Sequence, residues 1–473
     1  MMSYELNIIP TAFLTGLVFF NFIFGYKNLR NTRINIVNGL LFIQVFSQIT
    51  FPGIYGFIND YPQEVLYKIS PIHLFIVYIV ELVSISCWLI GFYWFRPLYK
   101  HVEKCSFFPG LSDKKIDWVL ITIIIMMYYV VILEASRGLG VVMYDSENLG
   151  ESIKLWPTGI TIPFGLWNII ISLFYFPGIL AGGILATNNQ TSGLKKGKVV
   201  GWAVLFSMIV MGLVTALRQF ILGSVIMIFI FGLAQNNKTV LKYAVVGLMI
   251  LFSLAPIMQG SYRDVLWSAE GKELSSIEKL ALLTTSKKDA KEENPFVTFW
   301  HAAGNRFIDA ALSAGLVKAV LRGDSAGLQP VLGAIASPIP RLFWPGKPAP
   351  GSFDGTNEGT ATYVVWRETI EGMSWECGPF TSGSHSFWEL NMVGVILFGI
   401  LSGLFARTML HATINAGKIG LVFWGLTFHP LAFIVNLWAP EIIMVLMQRI
   451  LPLGIFIWCW SWFSRLRVNF PKK

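Results

Sequence analysis

Apolar runs of roughly twenty residues recur along most of this chain, separated by short polar links. A helix of that length spans the roughly 30 Å of a bilayer's hydrocarbon. Backbone groups in lipid must be satisfied within the segment, so runs of this length are predicted to be helices. Eleven candidate spans are read, at roughly 6–25, 36–57, 71–95, 117–134, 164–187, 199–216, 219–235, 239–258, 387–406, 419–437 and 442–462. The sixth and seventh are the hardest to separate, because only Arg218 and its neighbours lie between them. Only 13% of the 473 residues are charged and 54% are apolar, where soluble domains carry about 25% charge. That balance excludes a disordered chain, a fibrous repeat and an ordinary soluble enzyme. The predicted fold class is all-α: a polytopic integral membrane protein of about 11 transmembrane helices with one long extracytoplasmic loop. The expected division is 1–258 for helices one to eight, 259–386 for the loop, and 387–473 for helices nine to eleven with a short cytoplasmic tail.

Orientation follows from the Lys/Arg bias of short loops. Nineteen Lys/Arg fall on the side holding Lys27, Arg96, Lys195, Lys238, Arg407 and the tail; four, Lys68, Arg137, Lys154 and Arg218, fall opposite. This puts the N-terminus outside and the C-terminus inside, as an odd number of spans requires. The first apolar stretch has no cationic segment ahead of it and reads as a retained span. The net charge of +9 is accounted for by the cytoplasmic loops. With no long basic run or basic–aromatic repeat, no nucleic-acid partner is expected. The four cysteines, Cys87, Cys105, Cys377 and Cys459, form no CxxC and suggest no metal site.

The loop at 259–386 holds twelve Lys/Arg and fourteen Asp/Glu, and a loop this long is usually functional. Residues 275–291 are polar and helix-compatible. Residues 296–321 read as an amphipathic helix, with Trp300, Ala303, Phe307, Ala311 and Ala314 on one face and Asn305, Arg306, Asp309 and Ser313 on the other. Residues 338–358 are too rich in Pro and Gly to form one helix. No internal repeat is visible, which weakens an inverted-repeat transporter.

No GxxxxGK[ST], GxGxxG, GxSxG, HExxH or DxD motif is present. An enzyme of this kind would draw energy from its substrate, and no cofactor and no metal are expected. Candidate residues are therefore charged and aromatic side chains near the outer membrane face. Arg218 at an outer helix end suits a diphosphate or snorkels to the interface. Arg263, directly after span eight, is placed for a lipid diphosphate or for pairing with Asp264. Arg306 and Asp309 share a face at i,i+3 and read as a solvated ion pair or a binding pair. In the proline-stiffened stretch 337–348, Arg341 and Lys347 flank Phe343 and Trp344. Rigid backbone, cation and ring suit a sugar phosphate; a rigid interfacial loop would look alike. His385 and Glu389, at i,i+4, share a face if the helix starts by Ser384. Glu389 suits a general base or a helix N-terminal charge, and His385 a base or a cap. Gly394, Gly399 and Gly403 allow close helix packing.

Two segments resemble bacterial O-antigen and exopolysaccharide repeat-unit polymerases of the Wzy type: IPRLFWPGKP at 339–348 and HSFWELNMVGVILFGILSG at 385–403. The eleven-span frame with one late external loop is similar too. The resemblance implies a membrane-embedded, metal-independent glycosyltransferase at the outer face of the bacterial plasma membrane. Its substrate would be a polyprenyl-diphosphate-linked oligosaccharide, among membrane lipids, with a chain-length regulator and a flippase as partners. It implies that Arg218, Arg263 and Arg341 bind diphosphate, joined by Lys347. Glu389 would correspond to the family's glutamate and Asn391 to its asparagine, with Trp344, Trp366 and Trp388 stacking on sugars. The TSGSHS stretch, His385 and Trp388 depart from the family pattern, and the base stays open between Glu389 and His385. Rival readings are an O-antigen ligase, a flippase or transporter of lipid-linked sugars, and a non-catalytic scaffold. A transporter needs charges spread through several spans, and here Glu81 and Arg449 are the clearest of few.

Overall fold

The structure, a computed structural model, describes residues 69–94, 152–154, 161–163, 309–336, 361–369 and 381–415, with isolated positions elsewhere. The described part is helical apart from one short ribbon. The chain divides into two compact units. One comprises Met1–Ser106, Ala303–Asn415 and Pro430–Ile450; the other comprises Phe107–Ala302, Ala416–His429 and Leu451–Lys473. In the second, β1 (Ser152–Lys154) pairs antiparallel with β2 (Thr161–Pro163), Ile153 opposite Ile162.

The first unit carries the described helices. Helix α1 spans Pro71–Trp94. Ser70 caps it: the His73 N–H donates to the Ser70 carbonyl, and the Ser70 N–H donates back to His73 Nδ1 (3.1 Å). This is one half of a capping box, an imidazole reaching back to the cap N–H in place of the usual Glu, while the cap's carbonyl and not its hydroxyl takes the His73 N–H. Pro71 sits at the first helical position, where its missing N–H costs nothing.

Helix α2 (Asp309–Leu321) stops at Gly323, whose φ of +97° a side chain would resist. The Asp324 N–H closes back onto the Ala319 carbonyl (3.0 Å), which satisfies one of the helix's orphan acceptors. Helices α3 (Gln329–Ala336) and α4 (Ala361–Thr369) follow. Ile339 and Trp344, within the Pro- and Gly-rich stretch, are non-helical, as expected there.

Helix α5 runs Ser382–Asn415 with a break at Leu390 (φ −130°, ψ 29°) and Asn391 (φ 55°, ψ −148°). A Cβ at Gly394 would collide with the Ser386 carbonyl. In an unbroken helix those positions would lie about 12 Å apart along the axis, so the helix folds sharply at the break.

Beyond it, α5 packs on α1 through glycines. A Cβ at Gly399 would fall 2.8 Å from Cys87 Cβ and 2.9 Å from the Ser84 carbonyl oxygen. At Gly403 it would meet the Trp88 carbonyl, and at Gly91 the Ile400 carbonyl. Further on, the Arg407 guanidinium lies 5.2 Å from the Phe92 ring centroid. The contacts advance together along both helices, so this part of α5 runs parallel to α1.

Pro71–Trp94 and Ser382–Thr408 are each long and apolar enough to cross a membrane. The remaining expected spans lie outside the described stretches or touch them only at isolated positions. Among those positions, Thr15 and Thr50 share a hydrogen bond (2.6 Å) between the first two expected spans.

Helix α2 buries Leu312, Ser313, Ala314, Leu316, Val317 and Ala319, and Ser313 is the one member of the polar face expected over 296–321 whose side chain is described. The helix is packed by α1, α4 and α5, so a polar-face residue such as Ser313 points at protein. Helix α5 begins at Ser382, which meets the start by Ser384 that puts His385 and Glu389 on one face, and runs ahead of the apolar stretch from 387. Its first turn is polar because its partners are polar groups of the protein.

Candidate functional site

The polar start of α5 is built from three helices. Thr381 is the cap residue, and its carbonyl accepts the first helical bond, from the His385 N–H (3.1 Å). The next free donor, the Ser384 N–H, is taken by Glu81 Oε1 (2.9 Å), from the middle of α1. A helix N-terminus carries partial positive charge and orphan N–H groups, so a carboxylate is well placed there. Gly383 makes the approach possible: a Cβ there would fall 2.5 Å from Glu81 Oε1 and 2.9 Å from Oε2.

A chain of hydroxyls leads to the same carboxylate. Thr381 Oγ1 donates to Ser384 Oγ (2.9 Å), which donates to Glu81 Oε1 at a long 3.4 Å. Ser313 of α2 is 3.1 Å from Thr381 Oγ1 and accepts from the Thr381 N–H (2.9 Å). Each donor is thus aimed toward Glu81, and aligned bonds of this kind reinforce one another.

One turn further along α5 lie the two residues expected to share a face. His385 and Glu389 are each 1% exposed, and the helix start at Ser382 puts both on one side of a regular stretch. The His385 ring stands edge-on to Trp388, with centroids 5.4 Å apart. Neither Glu389 oxygen has a hydrogen-bond partner among the described residues, and the same holds for Glu81 Oε2. Burying a carboxylate with no hydrogen bond among the described residues is costly, which makes Glu389 a candidate for a functional role. The break at Leu390–Asn391 follows at once, and Asn391 is exposed beside it.

Trp388 is buried and its carbonyl accepts from the Ala326 N–H (2.9 Å), a core position with no ring face open to solvent. Trp344 is exposed. Asp309 and Trp366 stand on α2 and α4. Arg218, Arg263, Arg306, Arg341, Lys347 and Arg449 lie outside the described residues.

The cations that the structure brings together are others. Glu368 of α4, buried, meets Lys318 Nζ (3.3 Å), Arg322 (2.9 Å) and Arg367 Nε (3.2 Å). Arg367 also reaches Asp324 (3.0 Å), and His73 at the start of α1 lies within electrostatic reach of Lys318, Arg322 and Glu368. Among the described residues, no cluster of His, Cys, Asp and Glu is placed to hold a metal ion.

Sequence reasoning weighed Glu81 only as a mid-span charge. Its signal was plain, a lone carboxylate in a 24-residue apolar helix; its partner, 303 positions away, carried none.

Among the described residues these features define a helical protein with two helices long and apolar enough to span a membrane and a buried histidine and glutamate near the start of the second. Residues 166–353 match a family described as a domain of unknown function (DUF8712). No curated protein and no solved structure is significantly similar to the chain.

Proposed function

We propose that this chain is a membrane-embedded glycosyltransferase. It polymerises polyprenyl-diphosphate-linked oligosaccharide repeats into O-antigen, capsule or exopolysaccharide at the outer face of the plasma membrane. The observation that carries the reading is Glu389: buried, without a hydrogen-bond partner among the described residues, and one residue before a strained break in α5.

In the step proposed, the acceptor sugar's hydroxyl oxygen bonds to the donor's anomeric carbon. The bond from that carbon to the diphosphate breaks, and the diphosphate keeps the electron pair. Glu389, or His385 beside it, takes the hydroxyl proton. Cationic side chains would neutralise the departing diphosphate, and the sequence offers Arg218, Arg263, Arg341 and Lys347 for it. Trp344, exposed, offers its ring to sugar, with Trp366 the other candidate from the sequence, and Asn391 offers its amide at the open side of the break. The parallel course of α1 and α5 is what two odd-numbered spans require.

A second reading keeps one specific observation in its favour. Glu81, fully buried within a candidate span, is a residue a carrier of lipid-linked sugars could also use.

The test is the polysaccharide size profile of a strain lacking the gene, complemented with wild type, Glu389→Gln or Arg341→Ala. Collapse of the ladder to single repeats, with both variants failing to restore it while present in the membrane, supports polymerisation. Lipid-linked repeats trapped inside the cell mean a flippase. Long chains retained on the carrier mean a ligase, and an unchanged profile rejects all three.

A further inference from the structure

We infer that Glu81 is the positioning residue of the α5 site: by capping the first turn of α5 it fixes where His385 and Glu389 stand. The inference rests on the reading of those two residues as the base. It deepens that reading by naming a residue more than 300 positions away that sets their place.

Three independent features converge on one carboxylate. Glu81 Oε1 accepts the Ser384 N–H, the bond that a cap side chain would ordinarily take. The cap residue itself, Thr381, instead turns its hydroxyl to Ser384 Oγ and so to Glu81, while Ser313 ties the same hydroxyl to α2. Gly383 leaves room for the carboxylate and for nothing larger.

The segment held in this way is short. Between the cap and the break at Leu390 there are only two turns of helix, carrying both His385 and Glu389. The break interrupts their helical bonds to the long glycine-packed part of α5, so their position depends on side contacts: the Ala326 N–H on the Trp388 carbonyl, the close approach of Gly394 to Ser386, and the grip on the first turn. Glu81 grips it from α1, the helix against which the rest of α5 also packs. A shift of about 1 Å at this distance from the chemistry is enough to lower a rate about 10²-fold. Glu81 itself need not touch substrate.

The experiment uses the full-length chain and four variants: Glu81→Gln, Glu81→Ala, Gly383→Ala and the double Glu81→Ala/Gly383→Ala. Long-chain polysaccharide is read in the deletion strain, and the melting temperature is read on the purified protein in lipid nanodiscs. Gln keeps an acceptor oxygen at nearly the same place, so Glu81→Gln should retain at least about ten-fold more long chain than Glu81→Ala. Gly383→Ala should melt lower than wild type, because its Cβ lands on the carboxylate. In the double variant that Cβ enters the space Glu81 vacated, so the two changes should be strongly non-additive, costing little more than Glu81→Ala alone.

Equal loss in Glu81→Gln and Glu81→Ala would overturn the inference, since a charge or a proton would then matter more than the grip. Additive losses would overturn it as well. Failure of the polymerase reading looks different: Glu389→Gln would leave long chains intact, while the non-additive melting of the Glu81/Gly383 pair would persist.

Discussion

Glu389 and Asn391 are neighbours but one, and both are poor choices for stability alone. A buried carboxylate with no hydrogen bond among the described residues forfeits its hydration for little return, a cost of about 1–3 kcal/mol or more. Glu389→Gln removes the charge while keeping the shape. The purified variant should therefore melt at or above the wild-type temperature, even as chain growth in the complemented strain is lost. A melting temperature that falls by several degrees would instead make Glu389 a structural partner of groups beyond the described helices. Asn391 presents the second case. Its φ of 55° with ψ of −148° belongs to a region that glycine alone enters freely, and other residues pay about 1–3 kcal/mol there. Asn391→Gly should raise stability by about 1 kcal/mol and Asn391→Ala should not. If Asn391→Gly is stable yet makes only short polysaccharide, the amide is needed for substrate. If chain length is unaltered, Asn391 serves the bend alone.

At the scale of elements, α1 and α5 approach as closely as glycine permits. Small residues at such a contact let backbones pack where lipid gives no hydrophobic drive for association. Gly403→Val would press a branched side chain into the Trp88 carbonyl. It should destabilise by about 1–3 kcal/mol, the usual range for overpacking, seen as a lower melting temperature in nanodiscs. Gly16→Ala is the control: a Cβ there meets nothing within 4 Å. That variant should melt at or above wild type, because Ala is the better helix former. The glycine pattern was legible because its meaning is local, and Gly399 and Gly403 do line the contact. Gly394, from the same pattern, serves the fold-back at the break instead, because ψ at Asn391 is not written in a spacing rule. The one described residue of the expected polar face of α2 shows a related effect. Helical periodicity assigns a polar face to solvent, and here Ser313 on that face finds Thr381. The i,i+4 pairing of His385 and Glu389 was legible; the Glu81 grip was not, since no periodicity links α1 to a residue more than 300 positions on. The Glu368 cluster gave only a faint signal, Lys318 and Arg322 four apart at a helix end.

For the whole molecule, the parallel course of α1 and α5 constrains the path between them. A chain that leaves α1 on one side of a membrane and enters α5 from the other must cross an odd number of times in between. The expected spans at 117–134, 164–187, 199–216, 219–235 and 239–258 supply five crossings. Merging the ambiguous pair around Arg218 would leave four, and the two helices would then run antiparallel. The parallel course of α1 and α5 therefore requires an odd count between them, which separate spans flanking an outer Arg218 would meet on the eleven-span expectation. That placement is a condition of the proposed diphosphate role of Arg218, since the lipid-linked substrate is used outside. It can be tested without any activity assay. In a chain whose four cysteines are replaced, Gln219→Cys should react with a membrane-impermeant maleimide in intact cells. Lys238→Cys, in the following inner loop, should react only after permeabilisation. Labelling of both positions only after permeabilisation would remove Arg218 from the outer face. It would also force the odd crossing to be found elsewhere in the segment between Trp94 and Ser382.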